Sequence, residues 1–274
     1  MLLPVRGPQI GKGAHALCYV SECKQYVLKV MKHPEKDYDQ VRLATPLVGV
    51  LTHIQDEVKI LAGLEHPNLI RLSAYDKPNH TLFLQPYCKR GSLSGQLITE
   101  KMAKRYMLQI LDALEYLHDN YIMHRDIKPA NILIDDNDNA ILTDMDLATR
   151  LLGENDVILR GHVGTPNYAS PEVLFTGRYG YVGYSYPADI WSFGVTLYTL
   201  LYDVCPFEDT TSYTSYDAID NTYKNIRKLR YSFPAYPSEV SNDAHDLIRK
   251  ILVLDPERRL TIQQIREHPF FSGQ

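Results

Sequence analysis

The sequence lacks the features that mark secreted, membrane-spanning or disulfide-stabilised proteins. Its 274 residues include only four cysteines and no CxxC spacing, which predicts reduced thiols in a cytosolic protein. The longest apolar stretch, residues 191–202, is too short to span a bilayer. The first residues contain no apolar signal-peptide core. We therefore expect a cytoplasmic protein, with the nucleus left open, and no membrane partner.

The chain also lacks an excess of charge of one sign, internal repeats and low-complexity tracts. Its formal net charge of −4 and its pI near 6.2 give no reason to expect a nucleic acid as partner. With 45% hydrophobic and 23% charged residues, the composition is that of a soluble globular protein with a sizeable core. Composition therefore excludes several partners without indicating a function.

The predicted elements are strands first and helices later. Residues 9–31 alternate apolar and polar side chains around a polar turn, which predicts consecutive antiparallel strands. One helix is predicted over residues 51–64, and two strand-like runs follow it, NLIRLSAYD and TLFLQPY. After residues 85–91 helical spacing dominates. This order indicates an α+β chain with a small lobe, a connector and a larger helical lobe.

A pair of glycines lies in the segment GKGAHA of the first predicted hairpin. Gly11 and Gly13 allow the backbone to lie close over a phosphate and to donate N–H groups to it. The third glycine of a dinucleotide-binding motif is replaced by Ala16, and strand-like residues follow instead of a helix. We favour a phosphate-covering turn, with an ordinary strand turn as the alternative for this motif taken alone.

Lys29 is a charged residue in the otherwise apolar strand YVLKVM. Lysines are rarely fully buried without a partner, and Glu57 on the following helix is placed to supply one. For the residue taken alone, an exposed lysine is the alternative.

The segment MHRDIKPANILI carries the densest chemistry of the chain. Asp126, Lys128 and Asn131 lie within six residues and offer a proton acceptor, an ammonium and an amide oxygen. Asp144 follows a second apolar run, and two strands joined by the turn DDNDN would bring it close to Asn131. Oxygen ligands of this kind suit Mg²⁺ that bridges a polyphosphate.

Together these motifs resemble those of the protein kinases, from about Ile10 to Phe271. The matching segments occur in order as IGKGAHALC, YVLKV, QDEVKIL, HRDIKPAN, TDMD, GTPNYASPE, DIWSFG and DPERRLTIQQIREHPF. The resemblance implies a single catalytic domain with the bilobal protein-kinase fold. Its parts would be a small antiparallel β-sheet lobe with one main helix over about 1–84, a hinge over about 85–91 and a mostly helical lobe over about 92–274.

The resemblance implies transfer of the γ-phosphate of ATP, with Mg²⁺ or Mn²⁺, to Ser or Thr hydroxyls of protein substrates. Asp126 would orient the hydroxyl and accept its proton, and Lys128 would stabilise the γ-phosphate. Lys29, paired with Glu57, would bind the α- and β-phosphates. Lys128 and Thr165 match the serine/threonine branch of the family rather than the tyrosine branch.

Further roles follow from the same resemblance. Asn131 and Asp144 would hold the metal. The nucleotide would be contacted by Ile10, Gly11, Lys12, Gly13, Ala14, Cys18, Val27, Lys29, Pro86, Cys88 and Leu133. Structural roles would fall to Thr165, which braces Asp126, to Asp189, which anchors the catalytic loop, and to the ion pair of Glu172 with Arg259.

The main departure from the family pattern is Asp146, which stands where a glycine is usual in TDMD. We expect its side chain to face solvent or to cap a turn. The alternatives are a metal site tuned by a second carboxylate and an inactive nucleotide-binding scaffold, or pseudokinase. Because Lys29, Glu57, Asp126, Asn131 and Asp144 are all present, an active enzyme is favoured.

The segment after Asp146 contains no Ser, Thr or Tyr between Thr149 and Thr165. Kinases with an arginine before the catalytic aspartate, here Arg125, usually use it to hold a phosphate on this segment. We therefore expect activity without phosphorylation of the segment. Two partners for Arg125 remain open, an acid of the pair Glu154 and Asp156 or backbone carbonyls, with packing of residues 157–159 ordering the loop in the second case.

Two segments are longer than the family pattern requires. Residues 175–188 are rich in Tyr and Gly and are either a docking surface for a substrate or partner or a self-packed loop. Residues 33–50 are a loop or a helical extension. A small-molecule kinase is the nearest enzymatic rival, and the peptide-holding segment GTPNYASPE argues against it.

Overall fold

The computed structural model describes residues 5–12, 16–31, 57–75, 82–159, 163–212, 214–235 and 240–272. Gly13, Ala14 and the long segment 33–50 lie outside these ranges. Within them a strand-rich lobe precedes a helical lobe, in agreement with the α+β expectation. No helix in this part of the chain is long and apolar enough to cross a membrane.

The small lobe is built on a five-stranded antiparallel sheet in the order β1-β2-β3-β5-β4. Its strands are β1 (Arg6–Lys12), β2 (Ala16–Ser21), β3 (Tyr26–Met31), β4 (Ala74–Tyr75) and β5 (Leu82–Pro86). Alternation along the strands buries Tyr19, Leu28 and Leu84 in one cluster. The described part of helix α1 covers residues 57–61.

The run NLIRLSAYD was predicted as a strand but forms one only at its end, in β4. Leu69 instead makes an isolated bridge to Leu142 of the large lobe, and both side chains pack in the main core. The burial of these residues against the large lobe thus overrides the local strand pattern.

The large lobe is mostly helical. Its helices are α2 (Glu100–Asp119), α3 (Pro171–Leu174), α4 (Pro187–Tyr202), α5 (Ser215–Arg227), α6 (Asn242–Ile251), α7 (Ile262–Arg266) and α8 (Pro269–Ser272). Thr99 begins α2 by accepting a hydrogen bond from the N–H of Met102. Helix α4 is buried on nearly all sides, and Gly194 is needed there because a Cβ would lie 2.4 Å from Ile251 of α6.

Two short two-stranded antiparallel sheets position the loops of the site. Strand β6 (Ile122–Met123) pairs with β9 (Thr149–Arg150), and β7 (Ile132–Ile134) pairs with β8 (Ala140–Leu142). The loop between β6 and β7 therefore runs beside the loop between β8 and β9. A backbone hydrogen bond of 2.9 Å from Thr143 N to Asn131 O joins the two loops directly.

Candidate active site

The loop that follows β6 is anchored by Asp189 in the first turn of α4. The backbone N–H groups of His124 and Arg125 donate to the two carboxylate oxygens of Asp189 at 2.9 and 2.8 Å. His118 lies 3.0 Å from the same carboxylate. Burial opposes ionisation of Asp189, but its hydrogen bonds and the His118 contact lower its pKa overall. The predicted anchoring contact is therefore present.

The carboxylate of Asp126 accepts hydrogen bonds from its own loop and from Thr165. Its Oδ1 accepts hydrogen bonds from the N–H and the hydroxyl of Thr165 at 2.9 and 2.8 Å. Its Oδ2 accepts from Lys128 at 2.7 Å and from Asn131 at 2.9 Å. Burial raises the pKa of Asp126, but the bonds from Lys128 and Thr165 outweigh it and lower the pKa overall. The carboxylate is thus ionised and fixed in orientation.

Gly164 explains why Thr165 is able to approach Asp126 so closely. The glycine has a φ of +95°, and a Cβ at this position would lie 2.5 Å from the carbonyl oxygen of Arg125. Lys128 completes the group by donating to the Thr165 hydroxyl at 2.6 Å. An acceptor, an ammonium and a hydroxyl therefore share one rigid cluster.

Asn131 and Asp144 lie on the two joined loops, as the sequence predicts. The amide nitrogen of Asn131 donates to the backbone oxygen of Asp126 at 2.8 Å and to its carboxylate, so the amide oxygen is the atom that can ligate a cation. Asp144 has a left-handed φ of +67° and a side chain 38% exposed. Strained backbone of this kind recurs at functional sites. Two oxygen ligands beside a pocket fit Mg²⁺.

Lys29 is buried and meets three carboxylates. Its Nζ lies 3.0 Å from Glu57, 3.0 Å from Asp144 and 2.5 Å from Asp146. The pair of Lys29 with Glu57 is therefore present, and the exposed-lysine alternative is wrong. The expectation that Asp146 faces solvent or caps a turn is also wrong, since its side chain is only 19% exposed and contacts the ammonium.

The charges of this cluster perturb one another. Burial alone would lower the pKa of Lys29, but the three carboxylates raise it above its usual value. Burial raises the pKa of Glu57, and the neighbouring Asp146 raises it further against the effect of Lys29. Burial also opposes ionisation of Asp146, yet hydrogen bonding with Glu57 and the charge of Lys29 lower its pKa to about 2. The lowered pKa favours the ionised form of Asp146 beside the ammonium.

A cavity of about 490 Å³ lies between the lobes and unites these groups. Asn131, Asp144 and Asp146 line it. It is also lined by eight of the predicted nucleotide and phosphate contacts, namely Ile10, Gly11, Cys18, Val27, Lys29, Pro86, Lys128 and Leu133. Asp126 also lines it.

Within the described part of the chain, two predicted contacts are not among the residues that line this cavity. The side chain of Lys12 is exposed at the end of β1. The side chain of Cys88 is buried in the core of the large lobe. Ala16, Ile70, Thr143 and Leu147 also line the cavity, although the sequence analysis assigned them no role in the site.

Glu172 and Arg259 form a bidentate ion pair that is almost completely buried. The two nitrogen–oxygen distances are 2.7 and 3.2 Å. Arg259 also donates to the carbonyl oxygens of Val253 and Pro187, so its hydrogen-bonding capacity is well used. This ion pair connects helix α3, which directly follows the segment 147–170, to the chain just before α7.

Arg125 is bound by uncharged acceptors. Its Nε donates to the carbonyl oxygen of Leu147 at 2.6 Å, and its Nη1 lies 3.2 Å from the hydroxyl of Tyr184. Tyr184 also exchanges two backbone hydrogen bonds with Ile158, of 2.9 and 3.1 Å. The carboxylate of Asp156 instead accepts from N–H groups of its own loop. Of the two alternatives, the structure thus favours backbone carbonyls.

The segment 175–188 packs partly on itself and partly on neighbouring parts of the large lobe, since Tyr181 donates to the Leu254 carbonyl and Phe175 meets Tyr223. Backbone hydrogen bonds join Phe175, Gly177, Arg178 and Tyr181 within it, and the rings of Phe175 and Tyr179 meet edge to face. The internal contacts agree with the self-packed alternative only in part. Its use as a docking surface stays a prediction.

The two lobes and the cavity between them define the bilobal kinase architecture, and comparisons with known proteins agree. The chain matches the family model of the protein kinase domain over residues 5–271. The chain therefore belongs to the protein kinase family, and the predicted fold class is confirmed.

Named relatives are protein kinases from several organisms. The chain is 35% identical over 232 residues to the SNF1-related protein kinase catalytic subunit alpha KIN12 of Arabidopsis thaliana, covering 82% of this chain and 44% of that protein. It is 38% identical over 222 residues to the serine/threonine protein kinase OSK3 of Oryza sativa, covering 79% and 41%. It is 33% identical over 274 residues to a probable cell cycle serine/threonine-protein kinase CDC5 homolog of Encephalitozoon cuniculi, covering 96% and 53%. The chain thus spans about half the length, or less, of these relatives.

Proposed function

We propose that this chain transfers the γ-phosphate of ATP to Ser or Thr hydroxyls of protein substrates, with Mg²⁺ as the metal and Mn²⁺ as an alternative. One observation carries the proposal: Asp126, Lys128 and Lys29 line a single cavity with the oxygen ligands Asn131 and Asp144. The serine/threonine relatives and the bond from Lys128 to the Thr165 hydroxyl support the choice of acceptor. We place the activity in the cytoplasm, on the composition alone.

The charge and position of each residue indicate its role in the transfer. Asp126, ionised and fixed by Thr165, accepts a hydrogen bond from the substrate hydroxyl and takes its proton as transfer proceeds. Lys128 stabilises charge on the transferred phosphoryl group, and Lys29 neutralises the phosphates on the other side of it. Asn131 and Asp144 would hold Mg²⁺, which neutralises phosphate charge and orients the polyphosphate when bound. Catalysis is then mainly positioning and electrostatic stabilisation.

A nucleotide-binding scaffold without turnover is the second candidate, and the contact of Asp146 with Lys29 is the observation in its favour. Incubation of the purified chain with Mg·ATP and a generic basic protein separates the two. Phosphate transfer supports the enzyme, and nucleotide binding without transfer supports the scaffold.

We further propose that activity does not require phosphorylation of the segment 147–165. Arg125 already has two acceptors, the Leu147 carbonyl and the Tyr184 hydroxyl, and Ile158 is fixed to Tyr184 by backbone hydrogen bonds. A phosphate is therefore not needed to bind Arg125 or to fix Ile158.

Protein made in bacteria and treated with phosphatase is expected to keep essentially full turnover. Charge reversal at Glu154 is the matched control and is expected to leave turnover unchanged, because Arg125 is held by uncharged groups. Loss of activity on dephosphorylation, mapped by mass spectrometry to a residue between 147 and 165, would contradict this proposal.

A further inference from the structure

The nearest carboxylate to the ammonium of Lys29 among the described contacts is that of Asp146. The Nζ–Oδ1 distance is 2.5 Å, whereas Glu57 lies at 3.0 and 3.3 Å and Asp144 at 3.0 Å. The resemblance to protein kinases assigns Lys29 to Glu57, and position 146 is usually a glycine that has no side chain to offer. The structure therefore gives Lys29 a carboxylate contact that the family pattern does not contain.

The backbone at position 146 does not need glycine in this chain. Among the described residues with left-handed backbone, Asp144 has a φ of +67°, but Asp146 is not one of them. A side chain at 146 is thus accommodated without backbone strain. Its direction into the cluster is fixed by the contact with Lys29 and by the proximity of Glu57, Asp144 and Asp146 within 4.8 Å of one another.

The three acids differ in what else they have to do. Asp144 is the proposed metal ligand, so its contact with Lys29 competes with metal binding. Glu57 and Asp146 have no such second task in the proposed mechanism. They also come from different lobes, Glu57 from helix α1 and Asp146 from the loop after β8. A buried ammonium that keeps one of two carboxyl partners is not left as an uncompensated buried charge, whereas loss of both partners removes that compensation.

We propose that Asp146 is a positioning residue for Lys29, and that it shares with Glu57 the task of holding the ammonium where it meets the phosphates of the nucleotide. The inference rests on the proposed kinase function for the role of Lys29, but the contact that motivates it does not. It predicts that neither acid is indispensable alone and that loss of both is far worse than the two single losses combined.

A double-mutant cycle tests the inference. The variants are Glu57→Gln, Asp146→Asn and the double variant, because each change removes a carboxyl group and nearly keeps the shape of the side chain. Asn is preferred to Gly at 146 because Gly would also free the backbone. Asp136→Asn is the control, since Asp136 is exposed and pairs only with the exposed Lys89 among the described contacts.

The first readout is the affinity for ADP without metal, measured by calorimetry, which does not depend on turnover. Each single variant is expected to bind within about tenfold of wild type, a change of about 1.4 kcal/mol. The double variant is expected to bind at least about fivefold more weakly than the product of the single effects predicts. The control is expected to match wild type.

The second readout is the split between KM for ATP and kcat. Loss of the holding contact is expected to raise KM for ATP in the double variant. In the Glu57→Gln background, Asp146→Glu is expected to have a lower KM for ATP than Asp146→Asn, because glutamate restores a carboxylate. Additive effects in the cycle would overturn the inference. The inference would also be overturned if Asp146→Asn left the affinity for metal-free ADP unchanged, both in the wild-type and in the Glu57→Gln background, and altered only the Mg²⁺ requirement. That result would make Asp146 a metal ligand. If the wild-type chain shows no turnover, the proposed function fails, and the metal-free cycle still decides the inference.

Discussion

Replacement of Asp126 by Asn or of Asp144 by Ala is expected to lower phosphate transfer at least about 10³-fold, because the first change removes the proton acceptor and the second a metal ligand. Asp126 is the centre of a network with Lys128, Thr165 and Asn131, so the amide keeps the shape of the site but not its charge. Steady-state kinetics at saturating ATP and Mg²⁺ measure the loss.

The matched control for these variants is Asp138→Asn. Asp138 binds Arg90, Arg105 and Tyr106 near the β7–β8 turn, outside the cavity. This variant is expected to transfer phosphate at a rate close to that of wild type. Wild-type kinetics in either Asp126→Asn or Asp144→Ala would contradict the assignment of the site.

The second large effect is expected on stability rather than on chemistry. Glu172→Gln should destabilise the fold by about 3–5 kcal/mol, because it leaves Arg259 as a buried charge without its partner. Both side chains are essentially inaccessible, at 2% and 0% exposed. The midpoint of urea unfolding, with the slope unchanged, reports the loss.

Glu115→Gln provides the comparison for this prediction. Glu115 contacts Arg266 at 2.7 Å, but the two side chains are 46% and 36% exposed. Surface ion pairs of this kind contribute about 0–1 kcal/mol. Equal destabilisation by the two substitutions would mean that burial of the Glu172 pair is not what makes it important.

The catalytic loop was predictable because its chemistry is local. Asp126, Lys128 and Asn131 lie within six residues, and the turn between two apolar runs brings Asp144 beside them. Order and spacing along the chain are enough to specify such a constellation. The same holds for the strands-first architecture, since the change from alternating to helical spacing is visible in the sequence.

The contacts that the sequence did not reveal join residues far apart in the chain. Asp146 meets Lys29 across 117 positions, and Tyr184 reaches Arg125 across 59. A carboxylate at the position of Asp146 is expected from the sequence to be solvated. The packing of β3, α1 and the loop after β8 instead places it against Lys29. Lys12 and Cys88 were assigned by resemblance to motif positions, but the side chain of Lys12 is exposed and that of Cys88 is buried in the core, and neither residue lines the cavity.

The most direct test of the proposed function is transfer of labelled γ-phosphate from Mg·ATP to a basic protein substrate, followed by identification of the phosphorylated amino acid. The phosphatase-treated wild-type chain is expected to label serine or threonine, and the Asp126→Asn variant is expected to label neither above background. Absence of transfer by a wild-type chain that binds ATP, or labelling confined to tyrosine, would contradict the proposal.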